Sequence, residues 1–212
     1  MHQTSSISRL RNIDVYRLLP EGTRIELIDY RFYMPVKTPA MEPVQNIDVF
    51  RLFPDGTRIE LIDNCFYMPP SLNSDHKISS GDIFVAIKNY LKKNPIGVVL
   101  SAPLDVYFDE KSNSVQPDII FISKENLSII HKKGAIHGVP DLLIEILSEG
   151  NENYDKIYKY SLYEKFGVKE YWIVEPVTKK TIGYKLVSGK YELIGELERK
   201  IGFVLLKTIV EF

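Results

Sequence analysis

The chain has 212 residues, 44% of them hydrophobic, which is enough to bury one full-sized core. Its formal net charge of -1 excludes a protein that is basic overall, so any site for nucleic acid has to be local. One cysteine, Cys65, and apolar runs no longer than a strand predict a cytoplasmic protein without a disulfide framework or a membrane span.

The N-terminal third contains one segment twice. Residues 12–35 read NIDVYRLLPEGTRIELIDYRFYMP (copy one), and residues 46–69 read NIDVFRLFPDGTRIELIDNCFYMP (copy two). The copies are identical at 19 of 24 positions and are displaced by 34 residues. The period recurs nowhere downstream, which excludes a solenoid, because such repeats need at least three units. In each copy the alternating TRIELID and FYMP predict the two strands of a hairpin.

The two predicted hairpins differ at their tips. Copy two turns at Asp63-Asn64, which suits a tight turn because Asn tolerates the left-handed conformation, whereas copy one turns at Asp29-Tyr30 with a bulky aromatic. We therefore expect copy two to open the main domain, residues 46–212, and residues 1–45 to form an N-terminal extension. Copy one is interpreted as a redundant surface segment or as one that pairs with another subunit.

The rest of the chain alternates between helical and extended patterns. Residues 74–94 begin with cap-type residues and place Ile83, Ile87, Tyr90 and Leu91 on one stripe, which predicts an amphipathic helix. Three or four strands, a second helix, a further strand and a closing hairpin follow. This order predicts an α/β fold with a sheet flanked by helices.

The second helix and the closing hairpin have clear end signals. The helix is predicted over residues 155–166 and ends at Gly167, and the hairpin turns at Ser188-Gly189. Tyr171 and Trp172, in the apolar strand between them, are interpreted as core residues.

One acid stands in the middle of an apolar strand. In DLLIEIL, alternation places Asp141, Leu143, Glu145 and Leu147 on one face of the strand. Burying an isolated carboxylate costs too much free energy, so Glu145 must be paired or bind a cation. The alternative to a cation site is an ordinary salt bridge.

A second acid and a lysine complete a possible metal site. Asp118 follows Pro117 at the point where DIIFIS begins, and two acids at the ends of neighbouring strands can hold a hard divalent cation. Asp155 and Lys159 are four apart on one face of the second helix, with Tyr163 one turn further. A lysine there could orient a water or stabilise charge on phosphorus, although this spacing is equally that of a solvated helix pair.

Taken together, these blocks resemble a known family. The strings QPDIIFIS, GVPDLLIEILS and YDKIYKYSLYEKFGVKEYWIVEP, preceded by TRIELIDNCFYMPPSLNSDH, are similar to the Uma-type family, a branch of the PD-(D/E)XK nuclease-like superfamily. The resemblance runs from copy two nearly to the C-terminus. It implies a restriction-endonuclease-like mixed sheet flanked by helices, with N-terminal β-hairpins.

The resemblance also implies site residues. Asp118 is the motif aspartate and Glu145 the acid of the (D/E)XK element, and both would ligate Mg²⁺, with Mn²⁺ as an alternative ion. Leu147 stands where the motif lysine is expected, so Lys159 on the following helix is the candidate. The supporting residues implied by the match are Asp141, Asp155, Glu60 and His76.

The leading hypothesis is a Mg²⁺-dependent endonuclease that acts on DNA, with no organic cofactor and no membrane partner, and compatible with a homodimer. The alternative is a catalytically silent domain that binds nucleic acid or protein. Leu147, the extra acid Glu149 and the near-neutral net charge motivate that alternative. The lysines Lys88, Lys92 and Lys93 could contact a phosphate backbone, but as a rule such residues are simply solvated.

Overall fold

The structure is a computed structural model that describes residues 8–23, 25–28, 31–35, 41–54, 56–132, 134–150 and 152–212. Within these residues the helices are α1 Asn12–Leu18, α2 Asn46–Phe50, α3 Ser74–Lys93 and α4 Tyr160–Phe166, with a 3-10 helix at Lys124–Ile129 and a π-helix at Tyr154–Lys159. The strands are β1 Ser8–Arg9, β2 Glu26–Ile28, β3 Arg31–Pro35, β4 Met41–Pro43, β5 Glu60–Ile62, β6 Cys65–Met68, β7 Gly97–Ser101, β8 Val106–Tyr107, β9 Ser114–Val115, β10 Ile119–Ser123, β11 Ile136–His137, β12 Leu142–Ile146, β13 Glu170–Val174, β14 Lys180–Val187, β15 Lys190–Glu198, β16 Lys200–Phe203 and β17 Thr208–Glu211.

A six-stranded mixed sheet forms the centre of the fold. Its strand order is β15-β14-β13-β12-β10-β7, with β12 and β13 parallel and the other neighbours antiparallel. A parallel pair needs a crossover connection, and here the π-helix and α4 supply it. The predicted α/β fold with a mixed sheet flanked by helices is confirmed.

Strand β12 is buried on both faces, and its alternation separates the two faces as predicted. Leu142 and Ile144 pack in one apolar cluster with Ile83 and Ile87 of α3. Leu143 packs on the opposite face, in a cluster that contains residues of the π-helix and α4. Glu145 shares that second face, so it points toward the helical crossover.

The crossover helix begins differently from the prediction. Across the predicted range, Tyr154–Lys159 is π-helical and Tyr160–Phe166 is α-helical. Gly167 ends it with φ of 86°, the left-handed conformation expected of a glycine at that position. Single π-turns within helices frequently occur at functional sites.

The N-terminal copies form equivalent structures. Each copy consists of a short helix that the sequence patterns do not predict, α1 or α2, followed by a hairpin, β2-β3 or β5-β6, whose register is the same after the displacement of 34 residues. The tip of copy two has φ of 45° at Asp63 and 63° at Asn64, which confirms the tight turn. The tip of copy one, Asp29-Tyr30, lies outside the described residues.

Copy two continues into a second sheet of order β1-β6-β5-β9-β8-β11, which leads directly to β10. Copy one forms a separate sheet of order β2-β3-β4. The division of the chain at residues 45 and 46 stays a prediction.

The C-terminal part matches its predicted hairpin and adds another. Strands β14 and β15 turn at Ser188 and Gly189, both with positive φ. The antiparallel pair β16-β17 follows and is not predicted from the sequence. Among the helices of the described residues, none combines the length and the apolar character needed to cross a membrane.

Candidate active site

Two neighbouring strands bring the predicted acids together. In the antiparallel pair β10-β12, Ile119 lies opposite Ile144, so Asp118 and Glu145 are the next residues along the same pairing. Asp118 Oδ2 accepts a hydrogen bond of 2.8 Å from the backbone N–H of Ile146. The side chain of Asp118 is therefore fixed beside the end of β12 that carries Glu145.

The ammonium of Lys159 lies among three carboxylates. Its Nζ is 2.9 Å from Glu145 Oε1, 3.1 Å from Glu60 Oε1 and 3.7 Å from Asp155 Oδ1. Lys159 is only 4% exposed, so these contacts replace water around the ammonium. The contact with Asp155 is the predicted pair four residues apart, but it is buried in the cleft rather than solvated.

Further side chains hold the acids in place. The hydroxyl of Tyr163 donates a hydrogen bond of 2.5 Å to Glu145 Oε1. His76 Nε2 is 3.0 Å from Asp118 Oδ2. Glu60 Oε1 accepts a hydrogen bond of 2.8 Å from the backbone N–H of Gln116. Protein contacts thus hold the carboxylates of Glu145, Asp118 and Glu60 in place.

The buried charges do not balance. The carboxylates of Glu60, Asp118, Glu145 and Asp155 are all buried, and within the part of the chain that the structure describes Lys159 is the lysine that contacts them. Burial raises the pKa of Glu145 well above its usual range, although Lys159 opposes the change. Burial likewise raises the pKa of Asp155 to about 7. The site therefore favours additional positive charge, as protons or as a cation.

The ammonium itself is firmly protonated. Burial alone would lower the pKa of Lys159, but the carboxylates of Glu145, Glu60 and Asp155 outweigh it and hold that pKa well above its usual value. Lys159 consequently carries a proton at neutral pH.

The donor set fits a hard divalent cation bound partly through water. Among the described residues no group of three or more His, Cys, Asp or Glu side chains is arranged to hold a metal ion by itself. Mg²⁺ does not require such a group, because it is usually held by one or two carboxylates and keeps several waters. Asp118 and Glu145 line a cleft of about 690 Å³ that has room for those waters. The excess of buried carboxyl groups over buried cations supports the same fit.

The cleft also has features that attract anions. Arg58 and Lys77 line it, as does the first turn of α3. The N-terminus of a helix carries a partial positive charge that favours phosphate groups. The sequence patterns do not single out Arg58 or Lys77. Arg58 lies two positions before Glu60, however, so alternation along TRIELID places these two side chains on the same face of the segment. Lys88, Lys92 and Lys93 lie in the second half of α3 and do not line the cleft.

The grouping of Asp141 with the site is corrected by the structure. Asp141 Oδ1 is 2.6 Å from Lys169 Nζ, and its Oδ2 accepts a hydrogen bond of 2.8 Å from the backbone N–H of Ser123. It precedes Glu145 by four residues, roughly 13 Å along a strand. Asp141 therefore fixes the far end of β12. The other predicted residues, Asp118, Glu145, Lys159, Asp155, Glu60 and His76, do line one cleft, and their catalytic roles stay predictions.

Comparisons with known proteins agree with this arrangement. The model of the Uma2 family, described as "Putative restriction endonuclease", matches residues 44–205, which include copy two and exclude copy one. Five chains of solved structures match. One is the crystal structure of a putative nuclease belonging to DUF820 from Anabaena variabilis ATCC 29413, with 20% sequence identity, a TM-score of 0.61, and coverage of 78% of this chain and 92% of that chain. At that identity the likeness shows the fold alone. The curated proteins contain no match.

Proposed function

Because this chain belongs to the Uma2 family, described as putative restriction endonucleases, we propose that it is a Mg²⁺-dependent endonuclease that hydrolyses DNA phosphodiester bonds. The observation that carries the proposal is the convergence of Asp118, Glu145 and Lys159 in one open cleft with more buried carboxylates than cations. A purely structural ion pair would not require this excess of carboxyl groups over cations.

Asp118 and Glu145 are the residues that would hold the ion, with Mn²⁺ as an alternative to Mg²⁺. A bound divalent ion polarises a phosphodiester and lowers the pKa of an attacking water. The backbone N–H of Ile146 holds Asp118, while Lys159 and Tyr163 hold Glu145 Oε1. Both acids are therefore oriented before any ligand arrives, which lowers the cost of organising the site during the reaction.

Lys159 acts as a charged hydrogen-bond donor in this proposal. Its raised pKa keeps the ammonium protonated, so it is not suited to remove a proton from water. Its N–H groups instead orient the attacking water or stabilise negative charge on the phosphorus. Glu60 and Asp155 set its position from two sides.

The DNA backbone would approach through the part of the cleft that Arg58, Lys77 and the first turn of α3 line. These groups supply a local positive field in a chain whose net charge is -1. Local basic residues of this kind position a phosphate backbone without reading its bases.

A catalytically silent binding domain is the second candidate. The observation that favours it is the close pairing of Glu145 with both Lys159 and Tyr163, because these contacts already satisfy one carboxylate oxygen without a metal ion. Such a protein would keep the cleft and the fold and would bind nucleic acid or protein without cutting.

Cleavage assays separate the two candidates. We would incubate the full chain with supercoiled plasmid, linear duplex, single-stranded DNA and RNA, in Mg²⁺, Mn²⁺ or EDTA. The endonuclease proposal predicts nicked or linear plasmid only with a divalent ion, and loss of that product in Glu145→Gln. Asp141→Asn is the matched control, since Asp141 lies outside the cleft, and it should still cut. Binding of DNA without cleavage under every ionic condition would favour the silent domain.

A further inference from the structure

The two N-terminal copies exchange their leading strands. Strand β1, which precedes copy one, pairs with β6 of copy two, with Ser8 opposite Met68 and Arg9 opposite Tyr67. Strand β4, which precedes copy two, pairs with β3 of copy one, where Tyr33 lies opposite Pro43. Among the described residues, neither leading strand pairs with the hairpin of its own copy.

The exchange is reciprocal at the level of single hydrogen bonds. The backbone N–H of Leu10 donates to the carbonyl of Phe66 over 2.9 Å, and that of Val44 donates to the carbonyl of Phe32 over 3.0 Å. Each residue of the second bond is the equivalent of one in the first, displaced by 34 positions. In a two-fold interface between identical subunits, each contact occurs twice with the roles of the two subunits exchanged. The two copies make their contacts in this way.

The apolar packing between the copies has the same symmetry. One buried cluster contains Val15, Ile25 and Phe32 of copy one together with their equivalents Val49, Ile59 and Phe66 of copy two. All six side chains are at most 5% exposed. Each copy thus covers the apolar face that the other would otherwise expose.

The outer edges of the two hairpins differ. Strand β5 of copy two pairs on its outer side with β9, which leads through Asp118 into β10 of the central sheet. In the sheet β2-β3-β4 of the described residues, β2 is the edge strand, so the equivalent position beside copy one holds no strand. Copy one therefore resembles the N-terminal segment of a second subunit whose catalytic domain is missing.

We propose that copy one takes the place of a second subunit, so that the full chain is a monomer with one cleft and a chain with a single copy is a homodimer. The surface of copy two is then a self-association surface, formed by β6 and the apolar face around Phe66, that copy one occupies within the same chain. The partner that this surface fits in a single-copy chain is the same surface of a second such chain. This inference concerns assembly and does not depend on the proposed cleavage.

The test introduces the same pair of cysteines into the full chain and into a shortened chain, and compares where the disulfide forms. Arg9→Cys and Tyr67→Cys are introduced together on a Cys65→Ser background, since residues 9 and 67 are opposite each other in β1 and β6 and opposed strand positions are close enough for a disulfide. In the full chain the disulfide should form within one molecule, and light scattering should give the monomer mass of 24.5 kDa. A disulfide between chains, or twice that mass, would overturn the proposal.

The second length lacks residues 12–45, one repeat unit, so that Arg11 is followed by Asn46. Its leading strand can reach β6 only in another chain, and we expect a dimer whose disulfide joins two chains. A folded monomer with an internal disulfide would refute the exchange.

If the shortened chain does not fold, substitutions in the full chain test the same proposal. Phe32→Asp places a charge in the copy-one half of the cluster and leaves copy two intact, so the mass should double as concentration rises. The control Arg31→Asp changes the neighbouring exposed residue and should leave a monomer. A Phe32→Asp chain that remains a folded monomer at high concentration would equally contradict the inference.

Discussion

Asp118 accepts a hydrogen bond of 2.8 Å from the backbone N–H of Ile146, the residue directly after Glu145. This bond joins the start of β10 to the end of β12 and holds the two acids on one side of the central sheet. The geometry of the acids is therefore a property of the fold, and the charge of each acid can be changed without removing the contact.

Asp118→Asn should separate catalysis from folding. An amide oxygen can still accept the hydrogen bond from Ile146, so we expect the free energy of unfolding to change by less than about 1 kcal/mol. DNA cleavage should fall by at least about 100-fold, because one of the two acids proposed to hold the ion loses its charge. Plasmid nicking rates and urea unfolding curves measure the two effects. Unchanged nicking would remove Asp118 from the site.

Asp141→Asn is the matched substitution and should show the opposite pattern. Burial opposes ionisation of Asp141, but hydrogen bonds from Lys169, Ser123 and Asn126 hold its pKa below the usual value. A carboxyl with a lowered pKa stabilises the fold above its unfolded pKa, and this contribution is lost as pH falls through the folded pKa. We expect Asp141→Asn to cost on the order of 1–3 kcal/mol near neutral pH, less in acid, and to leave cleavage intact. Lost cleavage with unchanged stability would contradict this placement.

Removing the ammonium should destabilise the protein. Lys159→Met leaves the carboxylates of Glu145, Glu60 and Asp155 without their buried cation, which we expect to cost about 3–5 kcal/mol. The double variant Lys159→Met/Glu145→Gln should regain part of that loss, because one buried charge is removed. Urea unfolding of the two variants gives the comparison. Equal stabilities of the wild type and Lys159→Met would mean that the ion pairs contribute nothing.

Stabilisation by a divalent cation should increase with pH. The pKa of Asp155 is raised from 3.8 to about 7, so between these values the folded protein holds a proton that the unfolded chain releases. Without a cation the stability therefore falls as pH rises through this window. A cation competes with such protons, including the one that the raised pKa of Glu145 favours, so the melting temperature should rise more with Mn²⁺ at about pH 8 than at about pH 5.5. Glu145→Gln should abolish the difference; a larger effect in acid would refute the linkage.

Local sequence patterns do not predict the N-terminal helices or the exchange of strands between the copies. Strand β12, α3 and the tips at Asp63-Asn64 and Ser188-Gly189 follow from alternation, helical periodicity and turn chemistry, all of which act over a few residues. Helices α1 and α2 are short, seven and five residues, and their stability comes from packing rather than from periodicity. The pairing of β1 with β6 joins residues nearly sixty positions apart, which a local pattern does not contain.

The site was predictable to a similar extent. Glu145 could be recognised because a carboxylate in a buried strand needs a partner, and the family resemblance pointed to Asp118 and Lys159. Alternation placed Asp141 on the same face as Glu145, but distance along the strand separates them, and Lys169 satisfies Asp141 instead. The positions of Arg58 and Lys77 beside the cleft depend on how the segment before β5 and the start of α3 meet there, which only the three-dimensional arrangement shows.

Arg58 and Lys77 should govern the affinity for DNA. Arg58→Ala and Lys77→Ala should each weaken binding and reduce the salt dependence of the binding constant by about one phosphate contact, because each removes a cation from the cleft. Lys88→Ala, in the same helix as Lys77 but outside the cleft, is the control and should bind as the wild type does. Binding constants over a range of salt concentrations measure the slope. An equal loss in Lys88→Ala would indicate general charge attraction rather than a specific path.

The most direct measurement is anomalous diffraction from crystals of the full chain soaked in Mn²⁺. We predict one peak in the cleft, with an oxygen of Asp118 and an oxygen of Glu145 each at about 2.0–2.3 Å from the ion. The peak should vanish in crystals of Glu145→Gln that retain the fold. A cleft without a peak, in which Glu145 remains paired only with Lys159 and Tyr163, would contradict a shared metal ion and with it the proposed hydrolysis.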